Sequence, residues 1–258
     1  MTEQVMKELL EAGAHFGHHR SAWNPKAKPF VYQERSKMHI INLRETVKGL
    51  ERACEFVRKL GEEGKKIVFV GTKHQAQKTI EEEAQKCGAY WVNTRWLGGF
   101  LTNFSTMKKS LERFKQLEQI EEEEFPQIRT KKEKAHLKRE LEKLRRNFKG
   151  IKAIESLPDA LYVVDVKVEE TAVKEAKRMG VPVVAIVDTN VDPEPIDYPI
   201  PANDDAIKTI KLITSKIANA YLEGKKLQEE SEKLEAKKES EAEKELLEES
   251  LEQEEEKS

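Results

Sequence analysis

The stretch KIVFVGT at residues 66–72 decides the fold, because four apolar residues that favour strands run directly into a Gly-Thr turn. Residues 74–86 follow with small or apolar side chains at Ala76, Ile80 and Ala84, a four-residue spacing that predicts a helix. A strand that is apolar at every position is typical of a parallel sheet covered on both faces. The stretch therefore predicts a β-strand followed by an α-helix in an α/β domain.

The same unit recurs later in the chain. LYVV at residues 161–164 precedes a helical pattern over 169–179 that ends at Gly180, and VVAIV at 183–187 follows directly after it. Together these runs predict three buried parallel strands.

Two weaker strands and two further helices complete the predicted domain. Residues 89–92 form one short strand, and the prolines around 198–201 place the other at a sheet edge. Apolar residues at helical spacing occur over 42–60 and again over 207–221. Asn203, Asp204 and Asp205, just before the second segment, are candidate caps. The prediction is a doubly wound α/β sheet of about five parallel strands.

One segment interrupts this alternation of strands and helices. Residues 104–149 carry apolar side chains at spacings of three and four in two arms, separated by residues 121–130. Such a seam predicts an antiparallel helical hairpin with coiled-coil packing, inserted in the sheet domain. The predicted organisation is a discontinuous sheet domain over 1–103 and 150–224, the hairpin over 104–149, and a tail over 225–258.

Charge is distributed unevenly along the chain. The 258 residues carry a net charge of −2, but the last 34 contain 7 Lys and 14 Glu, so the first 224 carry a net charge of +5. Residues 15–48 and 105–150 each have a net charge of +5. The two basic segments predict a negatively charged partner, and the tail predicts an acidic, solvated extension that is partly helical or disordered.

Several classes of protein are excluded by composition. There is no apolar run of ~18 residues for a membrane span, and the N-terminus lacks the pattern of a secretory signal, so we expect a cytoplasmic chain without a membrane partner. Cys54 and Cys87 belong to no CxxC pair, which argues against a zinc ribbon or a disulfide framework. Both are predicted to be buried.

An enzyme remains an alternative because the fold is common among nucleotide enzymes. The turn Gly71-Thr72-Lys73 follows a strand, but neither GxxxxGK[ST] nor GxGxxG occurs. Asp165, Asp188 and Asp192 lie near strand ends, without a nucleophile and partner base. A nucleotide or sugar-phosphate site at Thr72, Asp165 and Asp188 therefore stays open, while no catalytic residue and no small-molecule substrate is predicted.

Three histidines lie close together at His15, His18 and His19. Imidazoles bind metals, but nothing in the spacing selects the remaining ligands. Stacking, a hydrogen bond to phosphate or packing beside aromatic residues is the favoured interpretation. No metal and no cofactor is predicted.

Features of nucleic-acid binding are more numerous. The basic segment 15–48 and residues 93–104 both mix cations with aromatic rings, a combination that suits phosphate contacts and stacking on unpaired bases. Arg95 can form a fork to phosphate. Two alternatives stay open: Trp96 and Phe104 pack against the base of the hairpin, or the hairpin and tail form a protein–protein adaptor.

The same segments resemble a known family. HFGH at 15–18, WNPK at 23–26, HIINL at 39–43, FVGTK at 69–73, the whole of 93–104, GVPVVAIVDTN at 180–190 and NDDAI at 203–207 are similar, in order, to the bacterial small-subunit ribosomal protein S-two family. The resemblance covers residues 15 to about 215.

The resemblance implies a structural ribosomal protein with a flavodoxin-like sheet and an inserted helical hairpin, and no enzymatic activity. It implies a place between the head and body of the small (30S) subunit, contacts to 16S rRNA and to neighbouring ribosomal proteins, and a role in holding the mRNA-binding ribosomal protein S-one. Fold alone does not fix function, so a nucleotide-type fold without a nucleotide fingerprint is compatible with this role.

The candidate RNA-binding or assembly residues are basic, aromatic or amide side chains of these segments. The basic ones are expected to neutralise phosphates, whereas His18, Trp23 and Trp96 are expected to stack or to pack locally. They are His18, Arg20, Trp23, Asn24, Lys26, Lys28, Arg35, Arg95, Trp96, Asn103, Arg145 and Arg146.

Overall fold

The computed structural model describes the backbone of residues 2–123 and 131–255 and the side chains of residues 3–121 and 132–233. Its strands are β1 (Phe16–His19), β2 (Val31–Arg35), β3 (Met38–Ile41), β4 (Ile67–Val70), β5 (Tyr90–Val92), β6 (Ala160–Val164), β7 (Val183–Val187) and β8 (Tyr198–Pro201). Its helices are α1 (Thr2–Ala12), α2 (Leu43–Glu62), α3 (His74–Cys87), α4 (Phe104–Glu123), α5 (Lys131–Phe148), α6 (Glu170–Met179) and α7 (Ile207–Glu255).

Strands β4 to β8 form one parallel sheet in the order β5-β4-β6-β7-β8. Numbered along the chain, this order is 2-1-3-4-5, which is the flavodoxin-like arrangement of a doubly wound sheet. The predicted fold class and all five predicted strands are confirmed. The helix that follows β4 is also confirmed, as α3, and it ends at Gly88 in the left-handed conformation (φ 64°).

Two apolar cores cover the two faces of the sheet because the side chains alternate along each strand. Ile67 and Phe69 of β4 point into the core shared with α1, α2, α3 and α7. Val68 and Val70 point into the other core, which includes α6 and the base of the hairpin. The central strands β6 and β7 are buried at every position, as expected for strands covered on both faces.

Strand β8 closes one edge of the sheet and contains two prolines. Pro199 pairs with Ala185 of β7, and Pro201 pairs with Val187. Proline has no N–H to donate, so it fits an edge strand and not a central one. The edge position predicted from the sequence is confirmed.

Helices α4 and α5 form the predicted hairpin between β5 and β6. Apolar side chains of both helices are buried along the seam: Met107, Leu111, Phe114, Leu117, Leu141 and Phe148. Ion pairs connect the two helices, from Arg113 Nε to Glu140 Oε1 at 3.1 Å and from Arg145 Nη2 to Glu121 Oε2 at 2.6 Å. Residues 124–130 of the predicted connection lie outside the described part of the chain.

A second sheet lies in the N-terminal segment, and the sequence did not predict it. Strands β1, β3 and β2 pair in antiparallel fashion in that order. The turn between β2 and β3 contains Ser36 and Lys37 with φ values of 50° and 65°. These residues rarely occupy the left-handed region, which explains why no hairpin signal was visible.

Helix α7 packs closely against α2 and continues beyond the sheet domain. A Cβ on Gly61 of α2 would lie 2.5 Å from the Tyr221 carbonyl oxygen, and one on Gly224 of α7 would lie 2.1 Å from that of Arg58. The backbone stays helical to Glu255, so the predicted tail is helical over its described residues. The predicted boundary at Gly224 falls inside this helix, and the division into domains stays a prediction.

The two cysteines are both free thiols. Cys87 is buried and Cys54 is half-buried. Burial raises the pKa of each thiol to about 11, so both remain protonated at neutral pH. The predicted burial is confirmed for Cys87, whereas Cys54 is only partly covered.

Candidate nucleic-acid interface and carboxyl edge of the sheet

The N-terminal segment is docked onto the carboxyl edge of the parallel sheet. The backbone N–H of His18 donates to Thr189 Oγ1 at 2.9 Å, and that of Asn24 donates to the Thr189 carbonyl oxygen at 2.9 Å. A Cβ on Gly17 would lie only 2.8 Å from the Thr189 side chain, so glycine is needed for this approach. Strand β1 is thereby held next to the end of β7.

Lys73 is surrounded by carboxylates at this edge. Its Nζ lies 2.9 Å from Asp165 Oδ2, 2.8 Å from Asp204 Oδ1 and 2.6 Å from Asp205 Oδ1. Burial lowers the pKa of Lys73, but hydrogen bonds to Asp204 and Asp205 raise it to a value above that of an ordinary lysine. Lys73 therefore carries a positive charge that ties the ends of β4, β6 and β8 together.

His18 faces the same cluster from the other side. Its Nδ1 lies 3.1 Å from Asp188 Oδ2, and its Nε2 lies 3.5 Å from Asp205 Oδ2. The hydrogen bond to Asp188 raises the pKa of His18, while burial and the carboxylates of Asp165 and Asp188 raise the pKa of Asp204 to about 7. The ring of His18 is thus engaged with carboxylates, which favours local packing over stacking on a base.

The turn that resembles a phosphate loop already has internal partners. The backbone N–H of Thr72 donates to Glu169 Oε1 at 2.7 Å, and Lys73 holds the three aspartates. Asp165 and Asp188 lie at this edge as predicted, whereas Asp192 pairs with Lys26 on the N-terminal segment. The Thr72 N–H and the Lys73 ammonium group, which would hold a phosphate in a nucleotide enzyme, instead bind carboxylates of the chain itself.

Three of the predicted basic contacts lie beside carboxylates. Lys26 pairs with Asp192 at 2.7 Å and with Glu194, and Arg145 pairs with Glu121 across the hairpin. Arg20 lies 3.6 Å from Glu34 but is 70% exposed. These positions have internal partners that compete with a phosphate.

The other four predicted cations are exposed, and no carboxylate among the described residues lies within ion-pair distance of them. Lys28 precedes β2 and Arg35 ends it, Arg95 follows β5, and Arg146 lies near the end of α5. Four charges without an internal partner are available to a partner outside the chain.

The predicted aromatic and amide residues lie in different environments. Trp96 is buried, and its ring packs edge-on against Phe100 at 5.0 Å between centroids, which favours the packing role that the sequence left open. Trp23 is half-buried, with its ring 5.2 Å from that of His39. Asn24 accepts from the Lys26 N–H and begins the turn 25–30, whereas Asn103 is exposed beside α4.

Glu175 holds the loop after β5 in place, a role that the sequence did not reveal. It lies on α6, is buried, and accepts hydrogen bonds from the Trp96 indole and from the backbone N–H groups of Gly99, Leu101 and Thr102, at 2.7–3.2 Å. One carboxylate therefore shapes the loop that carries Arg95. A glutamate in a charged helix gives no sign of this role, because the loop that covers it is distant in sequence.

Taken together, the fold and the edge define a class of protein. The carboxyl edge, where α/β enzymes bind nucleotides, is filled by side chains of the chain itself, while exposed cations lie on the N-terminal segment, the loop after β5 and the hairpin. This is the pattern of a structural, nucleic-acid-binding scaffold. No described helix has the length and apolar character needed to cross a membrane.

Comparison with known proteins identifies the family. The family model described as Ribosomal protein S2 matches residues 9–224, and the chain belongs to that family. Small ribosomal subunit protein uS2 of Dictyoglomus thermophilum is 55% identical over 239 residues, covering 93% of this chain and 97% of the relative. The uS2 proteins of Fusobacterium nucleatum and Coprothermobacter proteolyticus are 55% and 48% identical over 225 and 268 residues, covering 87% and 98% of this chain and 91% and 100% of the relatives.

Membership in this family decides between the functions that the sequence left open. The chain is a structural protein of the small ribosomal subunit that supports translation, and it is not an enzyme. The family that the sequence motifs indicated is confirmed.

Proposed function

We propose that the chain binds 16S rRNA through the exposed cations Lys28, Arg35, Arg95 and Arg146, and that these contacts hold it between the head and body of the small subunit. One observation carries the proposal. Among the described residues these four cations form no ion pair, whereas the other predicted cations pair with carboxylates. A cation without an internal partner neutralises a phosphate without first breaking a salt bridge. The remaining candidate residues then act mainly by shaping the surface.

Salt dependence tests this assignment. Small subunits that lack the chain are mixed with the purified protein, and binding is measured by co-sedimentation over a range of salt concentrations. Each phosphate contact contributes about 0.7–0.9 to the slope of log affinity against log salt. A variant with glutamine at Lys28, Arg35, Arg95 and Arg146 is therefore expected to bind more weakly, with a slope less steep by about 3.

A matched variant controls for net charge. Four other exposed lysines each pair with a carboxylate one helical turn away, and glutamine at these positions removes the same formal charge: Lys48, Lys59, Lys78 and Lys174. The slope of this control is expected to stay close to that of the wild type. An equal change in both variants would assign the effect to overall charge and would refute the four proposed contacts.

We further propose that the chain acts in the cytoplasm and contacts other small-subunit proteins, including the mRNA-binding protein S-one. Membership in the family supports the proposal, and so does the exposure of apolar residues in the N-terminal segment, with Phe16 49% and Tyr32 69% exposed. Subunits rebuilt without the chain are expected to lose most of their S-one and to regain it when the chain is added back. Full retention of S-one on subunits without the chain, measured by quantitative mass spectrometry, would contradict this contact.

A further inference from the structure

A pocket of about 580 Å³ opens between α6 and the segment that follows β7. Three buried valines of the second core, Val166, Val173 and Val191, give it an apolar floor, and Pro195 also lines it. Lys73 and the carboxylates around it do not line this pocket, so it is separate from their cluster. Ligand pockets usually measure about 300–1,000 Å³ and combine an apolar lining with a few polar groups.

One wall of the pocket is a single face of α6. Four residues of this helix line the pocket at spacings of three and four, which place their side chains on the same side of a helix: Glu170, Val173, Lys174 and Lys177. Lys167, just before the helix, continues the wall. An apolar pocket is thus bordered by three lysines.

Two of these lysines have no internal partner. The acidic residues of the lining, Glu170 and Asp192, each pair with a lysine at 2.7 Å. Lys167 and Lys177 are exposed, and no carboxylate in the described part of the chain lies within ion-pair distance of them. One precedes α6 and the other lies in its last turn, so their positive charges border opposite ends of the wall. This arrangement complements the phosphates on the two sides of one nucleotide.

Asn190 supplies an independent observation on the other wall. Its side-chain Oδ1 is buried, yet it has no hydrogen-bond partner among the described residues. A buried acceptor without a partner is unfavourable, because it has lost water and gained no donor. An N–H group on the Watson–Crick edge of a nucleobase would supply the donor, and that edge is free only in an unpaired base.

We propose that this pocket binds one unpaired nucleotide of an RNA strand. The base packs on the valines and Pro195 and donates to Asn190 Oδ1, while Lys167 and Lys177 contact the flanking phosphates. An acidic protein side chain offers acceptors only, so it would satisfy the lysines but not Asn190 Oδ1. The inference rests on the proposed binding of rRNA, but it assigns a base-binding site to a surface that includes none of the four cations proposed above.

Two strands of equal charge test the role of the base. A fluorescein-labelled adenylate strand of about nine nucleotides is compared with a ribose-phosphate strand of the same length that has no bases. Both are titrated by fluorescence anisotropy with full-length protein that carries glutamine at Lys28, Arg35, Arg95 and Arg146, so that those cations do not mask the pocket. The adenylate strand is expected to bind about 10-fold more tightly, because only it can place a base on the apolar floor.

Further substitutions separate the base contact from the phosphate contacts. Asn190→Ala is expected to lower the preference for adenylate by about 3–10-fold. Lys167→Gln combined with Lys177→Gln is expected to weaken both strands equally and to make the slope of log affinity against log salt less steep by about 1.4. The matched control is Lys208→Gln with Lys211→Gln, which removes two exposed lysines of α7 on the other side of the sheet and is expected to leave preference and slope unchanged.

Equal affinity for the two strands would overturn the proposal, as would an unchanged preference in folded Asn190→Ala protein. Equal slopes in the two lysine variants would also overturn it, and so would a polyglutamate peptide that binds as tightly as adenylate, since this would indicate an acidic protein partner. Circular dichroism identifies any variant that fails to fold, and the exposed lysine positions keep the test valid if Asn190→Ala does so. None of these results bears on the four cations proposed above, which the titrated protein lacks.

Discussion

Replacement of Glu175 by alanine is expected to destabilise the protein by about 3–5 kcal/mol, because it leaves several hydrogen-bond donors without a partner, at a cost of about 1–3 kcal/mol for each one that stays buried. The carboxylate accepts from three backbone N–H groups, the Trp96 indole and the Thr102 hydroxyl. Alanine removes every one of these acceptors while the loop that contains Trp96 and Leu101 stays buried. Urea unfolding followed by circular dichroism measures the loss.

Glu170 provides the control for this substitution. It lies on the same helix, is exposed and pairs with Lys174 one turn away. Because exposed ion pairs contribute little, Glu170→Ala is expected to change the free energy of unfolding by less than about 0.5–1 kcal/mol. A similarly small change in Glu175→Ala would show that water replaces the carboxylate at no cost and that Glu175 does not organise the loop.

The pH dependence of the same variant follows from the pKa of Glu175. Burial raises this pKa, but the hydrogen bonds from Gly99, Leu101 and Thr102 outweigh burial and hold it below the ordinary value of a glutamate. The folded state therefore favours the ionised form, and this stabilisation is present above the pKa of the unfolded chain, about 4.3. It is lost as the pH falls through the lower pKa of the folded state, so the difference in stability between wild type and Glu175→Ala is expected to shrink in acid.

Replacement of Gly224 by alanine is expected to destabilise the protein by about 3 kcal/mol, although alanine normally favours a helix over glycine by about 1 kcal/mol. The reason for the reversed sign is the contact between α2 and α7. A Cβ at Gly224 would lie 2.1 Å from the Arg58 carbonyl oxygen and 2.9 Å from the Glu62 nitrogen. The substitution forces the two helices apart and disturbs the core beneath them.

The neighbouring substitution Glu223→Ala separates packing from helix propensity. Glu223 is exposed on the same turn of α7, so alanine there is expected to change stability by less than about 0.5 kcal/mol. Thermal and urea unfolding of both variants give the comparison. A more stable Gly224→Ala protein would mean that the helix contact tolerates a methyl group, contrary to this prediction.

The central sheet was predictable from the sequence because burial on both faces leaves a simple signal. IVFV, LYVV and VVAIV are apolar at successive positions, and each is bounded by a turn or a helix stop. The hairpin was predictable for a similar reason, since its apolar residues repeat at spacings of three and four over many turns. The three-stranded N-terminal sheet was missed because its strand β2 is exposed along most of its length and its turn, at Ser36 and Lys37, lacks the usual residues.

The carboxyl edge was predictable only in part. Asp165 and Asp188 were recognised at strand ends, and His18 was recognised as a polar candidate, but the pairing of His18 with Asp188 depends on contacts across 170 positions of sequence. Asp204 and Asp205 were interpreted as helix caps together with Asn203. In the structure, Asn203 Oδ1 accepts from the N–H groups of Asp205 and Ala206, just before α7, while the two aspartates turn toward Lys73.

The prolines of β8 affect how readily the free chain aggregates before it joins a ribosome. Every ribosomal protein is synthesised as a separate molecule and spends time free and at risk of aggregation. An exposed strand edge is a template on which a second copy can add a strand. Pro199 and Pro201 interrupt the row of donors on this edge, and the opposite edge strand, β5, is only three residues long. The sheet is thus protected from self-association during the interval in which rRNA does not yet shield the protein.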